Sequence, residues 1–403
     1  MIKYEQQYRK GIAEFMNVPI DSVSLYSKGR VGLYALLDVL GVSEGDEVIL
    51  PAYTCVVVPN AIKYLGAKPV YVDINPRTYN IEPELIAQKI TPRTRIIMAQ
   101  NTYGLSSDID SIRDQIGNKD IKILEDCAHG FGGKYKGQLN GKNVDGAFFS
   151  TQWNKTFSTG IGGFVISNNE RLKKGLSDYS EVLGKEDFIT NVSLSLQMLL
   201  RDMLGYTNGY WAAIKLYRQL TYFGLLKGSS TGSEISGIKI PKDYLKSITP
   251  SQCKRGIKEI LRISQNLEKR AIIGQYYERL FRDLSLKPAE IPFYATHTFI
   301  KYPVLVRDRD YIFEKAKKYN IPLHDWFMSG IHPIQKNYQL WNFDPKEFPN
   351  SSLVASHMVN LPTDSYVTQK ILKRIGEFIT EFRDYFVSFE YLKSQNQGVV
   401  DVY

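Results

Sequence analysis

The sequence predicts an α/β fold: a large domain with a mostly parallel, mixed sheet flanked by helices, then a smaller C-terminal α+β domain. Three observations predict it. Helical and apolar-strand patterns alternate from Arg30 to Ser150, as in a sheet covered on both faces. A charged amphipathic run from Pro250 to Arg282 separates that half from mixed short strands and helices between His297 and Phe386. A chain of 403 residues is also too long for one simple core, so two domains are expected. Their bounds are 1–249 for the large domain and 250–390 for the linking helix and small domain, with a loose tail over 391–403.

In chain order, Arg30–Val42 reads as a helix, Glu47–Leu50 as a strand, Val56–Leu65 as a helix and Pro69–Val72 as a strand. Pro83–Lys89 is expected to be helical, Arg95–Ala99 a strand, Ile109–Ile116 a helix and Ile121–Leu124 a strand. Val144–Ser150 and Gly163–Ser167 follow as strands. Pro250–Arg282 reads as one long solvated helix (Ile257, Ile260, Leu261, Ile263, Leu267), and Thr298–Pro303 as a strand. Ligands of such sheets sit beyond the carboxyl ends of the strands. Asp126 and Ser150 lie there, and Lys155 follows closely.

Three segments carry the chemistry. In Phe148-Phe-Ser-Thr-Gln-Trp-Asn-Lys155, a strand ends in a serine and one lysine follows five residues later. The next stretch, to Gly163, is small, glycine-rich and uncharged, so the amine is offered to a closed pocket. An amine held there loses its proton more easily and can attack a carbonyl. In Ile121-Lys-Ile-Leu-Glu-Asp126-Cys-Ala-His129-Gly, a strand ends in adjacent carboxylates with a histidine close behind. Ser27-Lys-Gly29-Arg30 opens a helical run with a glycine-containing turn, which suits a phosphate. Pyridoxal 5′-phosphate (PLP) needs these parts: a lysine to carry it, a carboxylate to keep its pyridine nitrogen protonated, and amides for its phosphate.

Further pieces occur in a familiar order: Val48-Ile-Leu-Pro-Ala-Tyr-Thr-Cys55, Gly66-Ala-Lys-Pro-Val-Tyr-Val-Asp73, Asn101-Thr-Tyr-Gly104, Asp108-Ile-Asp110 and Thr159-Gly-Ile-Gly-Gly163. With the three segments above, they make the chain resemble the fold-type I, PLP-dependent sugar aminotransferases of the DegT/DnrJ/EryC1/StrS group. The resemblance runs from about Val23 to Asn168 and resumes from about Tyr244 to Phe378. It implies that Lys155 is the cofactor-bearing lysine and Asp126 the partner of the pyridine nitrogen. It also implies that His129 lies near the phenolic oxygen, that Ser150 donates to the phosphate, and that Gly29 and Arg30 offer backbone amides. A lysine at 155 argues against the dehydratase branch, which carries histidine there.

The chain departs from the pattern in places. Arg30 stands where a threonine is usual; its guanidinium could clamp the phosphate, bind a substrate carboxylate or pair structurally. Cys55 replaces a ring that stacks on the pyridine, so either a smaller contact serves or Tyr53 or Tyr103 moves in. Ile161 replaces a common glutamate. Tyr244-Leu-Lys-Ser-Ile-Thr249 lacks an expected asparagine and arginine. His297, His324 and His332 have no metal spacing, and no metal is expected. Asp325-Trp326 is a candidate for the pocket wall.

The net charge is +9, from 51 Lys and Arg against 42 Asp and Glu. With no nucleic-acid motif or basic block, it points to an anionic small molecule or a membrane surface rather than nucleic acid. Three cysteines make no disulfide framework or metal pair, and no segment reads as a signal core or spanning helix. A cytoplasmic protein is therefore expected. Residues from about Lys185 to Asp243 exceed the family's usual connection and read as two amphipathic helices, Leu194–Leu204 and Trp211–Lys227. They could pack on the body or a partner subunit, lie on a membrane through Lys215, Arg218 and Lys227, or cover a bulky substrate. The resemblance implies a homodimeric aminotransferase moving an amino group from a donor, glutamate in relatives, to a keto-sugar that is nucleotide-linked. Two alternatives stay open. One is a PLP enzyme acting on a non-sugar or lipid-linked ketone. The other is a non-catalytic binding or regulatory relative.

Overall fold

The computed structural model describes residues 2–204, 210–222 and 232–400. Its centre is a seven-stranded sheet: β1 (Val23–Tyr26), β2 (Glu47–Pro51), β3 (Lys68–Val72), β4 (Thr94–Gln100), β5 (Lys122–Asp126), β6 (Gly146–Gln152) and β7 (Ile161–Ile166). The spatial order is β1-β7-β6-β5-β4-β2-β3. Strands β2 to β6 run parallel, while β7 lies antiparallel between β6 and β1. The mixed sheet thus sends the carboxyl ends of β1, β2, β4, β5 and β6 to one edge. Apolar runs such as Ile96–Ala99 suit strands covered on both faces, and all four of these residues are buried.

Helix α1 (Ile2–Met16) buries Tyr8, Ile12 and Met16 at four-residue spacing. Helices α2 (Gly29–Val39), α3 (Val57–Tyr64) and α4 (Ile109–Ile116) fall where the apolar periodicity places them, and α5 (Glu170–Glu181) follows β7. Pro83–Lys89 is instead two short 3-10 turns, Pro83–Leu85 and Ala87–Lys89.

In the long segment after α5, helix α6 is Phe188–Leu204, α7 is Tyr210–Tyr222 and α8 is Gly232–Ser236. Packing is one-sided. Leu194 and Met198 are buried with Ile161 beside Trp153, whereas Phe188, Ile189, Leu199 and Met203 are exposed. Trp211 is half-buried, with the Lys317 amine 5.9 Å from its ring centre. Lys215 is exposed; the Arg218 side chain and Lys227 lie outside the described residues.

The linking run is two helices, α9 (Pro250–Ile260) and α10 (Ile263–Asp283). Cys253, Ile260 and Ile263 pack with Tyr8 and Ile12, while Ile273, Tyr277 and Phe281 further along α10 pack with the C-terminal strands, so the run passes from one core to the other within α10. Those strands are β8 (Tyr302–Val306), β9 (Met358–Leu361) and β10 (Phe386–Val387), antiparallel in the order β9-β8-β10. The strand expected at Thr298–Pro303 begins at Tyr302, because Thr298 is bonded back to Gly104 and Phe299 has φ +49°. Helices α11 (Arg309–Lys318), α12 (Pro349–His357) and α13 (Gln369–Glu381) complete this part. Of the tail expected to be loose over 391–403, the part up to Val400 is helical in α14 (Phe389–Val400), with buried Leu392 packed against Val354 and Met358; residues 401–403 lie outside the described residues.

Candidate active site

At the shared edge, a cavity of about 520 Å³ opens between the turns that follow β1, β5 and β6. Gly29, Arg30, Cys55, Asp126, His129, Ser150 and Lys155 all line it. The sequence therefore placed its candidate residues on one surface. Backbone approach decides the first turn. A methyl group on Gly163 would lie 2.2 Å from the Gly29 Cα, and one on Gly29 would lie 2.8 Å from the Phe149 carbonyl oxygen. Only glycine at both positions lets the start of α2 sit this close to β6 and β7. The N-cap residue, Lys28, contributes no side-chain cap there, and the backbone N–H groups of such a helix start suit an anion. Buried Gln252 fixes the turn from behind, donating to the carbonyl oxygens of Ser27 (3.0 Å) and Ile161 (3.1 Å). The Thr249-x-x-Gln252 capping box was the sequence signal for this residue.

Asp126 is buried and Lys155 is half-buried at the cavity wall. Burial pushes the Asp126 carboxyl up to about 6, against the opposing pull of the Ala128 N–H (2.9 Å) and Lys155. Burial pushes the Lys155 amine down to about 8, while Cys55 and Asp126 hold it up and Arg30 lowers it further. Each group is thus pushed toward its neutral form, and the amine gives up its proton readily. Trp326 lies over the amine, its ring centre 4.5 Å from Lys155 Nζ. His129 stacks on Trp326 at 4.8 Å and 4°, and its Nδ1 accepts from the Tyr103 N–H at 3.3 Å. Burial, with Lys155 and Lys301 nearby, holds His129 well below the usual histidine range, so it is neutral.

The structure decides several open points. The Arg30 guanidinium is buried in an ion pair with Glu234 of α8. Glu234 holds its pKa up although burial opposes this. The side chain therefore pairs structurally with the inserted segment. Tyr53 and Tyr103 do not line the cavity. Their hydroxyls meet at 2.8 Å, and Tyr103 donates to the Trp326 carbonyl oxygen at 2.8 Å. Rings that do reach the cavity include His129, Trp326 and Phe327. Burial pushes the Cys55 thiol up, so it faces the cavity as a neutral group. Ile161 faces it too, and Asp325-Trp326 forms wall as expected. Tyr244, in the stretch lacking the expected asparagine, donates to the Arg30 carbonyl oxygen at 3.0 Å. His332 lines the cavity, while buried His297 stacks on Phe299 at 4.3 Å. Among the described residues, no three His, Cys, Asp or Glu side chains gather as metal ligands. Gln100 and Tyr217 of the wall were missed from sequence; Gln100 sits at a strand end, which was a usable signal.

The residues fit PLP: a buried carboxylate, a readily deprotonated amine and a helix start share one cavity. Fold and site define the class of PLP-dependent aminotransferase folds. The chain belongs to the DegT/DnrJ/EryC1/StrS aminotransferase family, whose profile matches residues 2–198 and 213–380 and whose cofactor is PLP. It is 40% identical over 169 residues to a GDP-perosamine synthase of Escherichia coli O157:H7, covering 42% of this chain and 46% of that enzyme. It is also 40% identical over 147 residues to a UDP-2-acetamido-2-deoxy-3-oxo-D-glucuronate aminotransferase of Pseudomonas aeruginosa, covering 36% and 41%. The matched part is thus under half the length of each. The PLP form of Spr1654 from Streptococcus pneumoniae shares the fold, with a TM-score of 0.72 at 21% identity over 94% of this chain and 90% of that one.

Proposed function

We propose that the protein is a PLP-dependent aminotransferase that moves an amino group from glutamate to a nucleotide-linked keto-sugar, for amino-sugar or surface-glycan synthesis. The observation that carries this reading is that Asp126 and Lys155 line one cavity, with each pKa displaced toward the neutral form. Lys155 Nζ holds the cofactor and afterwards takes and returns the proton at the reacting carbon. Asp126 accepts from the protonated pyridine nitrogen. Ser150 Oγ and the N–H groups of Gly29 and Arg30 hold the phosphate. His129 and Trp326 shield the amine from water, and Cys55 makes a small contact where relatives stack a ring. When bound, PLP supplies the electron sink that makes the carbon acidic. The GDP-linked product and the UDP-linked keto-sugar in the names of two relatives support a nucleotide-linked acceptor. The working form is a cytoplasmic homodimer. The test supplies the purified enzyme with glutamate and a panel of nucleotide keto-sugars, reading 2-oxoglutarate and product mass; no 2-oxoglutarate with any acceptor overturns the reading.

A lipid-linked ketone is the second reading, favoured by the exposed apolar face of α6. It requires co-sedimentation with anionic vesicles that weakens with salt; no co-sedimentation removes it.

A further inference from the structure

Behind the lysine turn lies a second cavity of about 410 Å³. It shares Trp153 and Lys155 with the first, but its other walls are α6, α9, α10 and the residues around Asp364. Six lining side chains are Lys or Arg and three are Asp or Glu. The acids are engaged. Asp202 accepts from both terminal nitrogens of Arg255, which also pairs with Glu259 at 3.0 Å. Asp364 pairs with Lys301 at 3.5 Å. Positive charge is therefore in surplus.

The surplus is arranged along a line. Arg255, Lys258, Arg262, Asn266 and Arg270 follow at spacings of three or four residues, which puts them on one helical face. That face carries across the α9–α10 break into the cavity. The solvent end holds Lys258 and Arg262, both exposed and without a salt bridge among the described residues. The inner end is Arg270, buried and donating to the carbonyl oxygens of Ile300 (3.0 Å) and Lys155 (3.3 Å). On the remaining wall Arg201 lies over the Trp153 ring at 5.4 Å. An open-mouthed hollow with a row of cations and its acids already paired suits phosphoryl oxygens, which guanidinium forks bind through two N–H groups.

We infer that this second cavity binds a phosphate or diphosphate group. The chemistry fits two sources: the diphosphate linker of a nucleotide-linked acceptor, or a free phosphate compound. The inference stands on the cavity and not on the transamination reading. The test titrates the holoenzyme with inorganic pyrophosphate by calorimetry at two salt concentrations. Binding should weaken as salt rises. It should be at least tenfold weaker in the Lys258→Gln/Arg262→Gln double variant, whose exposed sites leave the melting temperature unchanged. No binding at about 10 mM pyrophosphate, or equal affinity in both proteins, overturns the inference. Competition between pyrophosphate and a nucleotide-linked acceptor would identify the linker as occupant; binding without competition would identify a free phosphate compound. The glutamate half-reaction, read from the cofactor's colour with no acceptor present, keeps the two ideas separable. Its failure would count against transamination and leave the titration standing.

Discussion

At the scale of single residues, burial sets the chemistry. Lys155 is an ordinary lysine moved into a place where its charged form is poorly solvated, and this brings its pKa to about 8. Borohydride reduction of the holoenzyme should leave the cofactor on the peptide containing Lys155, and Lys155→Ala should lose transamination; label on another lysine contradicts the assignment. Asp126 attracts the charged form of Lys155, so removing its charge must lower the lysine pKa further. In apo Asp126→Asn, the pH at which the amine becomes reactive to an aldehyde reagent should fall below that of the wild type. Turnover should drop at least 100-fold, about 3 kcal/mol of barrier, because the pyridine proton is no longer held. An unchanged inflection with near-normal turnover would remove Asp126 from the site.

At the scale of elements, a buried ion pair ties the inserted segment to the site. Glu234 of α8 reaches Arg30 in the first turn of α2, and its carbonyl oxygen accepts from Asn60 Nδ2 at 2.8 Å. Both charges are buried, so removing one leaves the other uncompensated. Glu234→Gln should cost about 3 kcal/mol or more, seen as a lower denaturant midpoint. It should also release α8, seen as faster proteolysis around residues 232–243. A midpoint within about 0.5 kcal/mol of the wild type would mean that the pair contributes little.

At the scale of the whole molecule, the exposed face of α6 is the largest apolar feature that the described chain leaves open to solvent. Seven of its residues, from Phe188 to Met203, are exposed apolar side chains. Faces of this kind are normally covered, and the proposed isologous dimer supplies a means. Light scattering at micromolar concentration should report a dimer, and Leu196→Asp with Leu199→Asp should shift it toward monomer if α6 lies in the interface. A fully active wild-type monomer contradicts the homodimer.

The sequence alone determined most of the alternating strands and helices of the large domain, the strand end at Asp126, the strand carrying Ser150, which runs on to Gln152, and the lysine turn, because apolar periodicity and glycine placement are local properties. Its lysine, acid and phosphate turn were legible for the same reason: each sits within a few residues of a strand end or a helix start. Tertiary structure decided what depends on distant partners. It paired Arg30 with Glu234, 204 residues away, kept Tyr53 and Tyr103 beneath the wall, and set Trp326 over Lys155. It divided one periodic run into α9 and α10 and set its two ends in different cores. It also bound the tail through Leu392. A side chain's type limits its possible partners, but only the packed chain fixes which of them lies within reach and how much water remains around it.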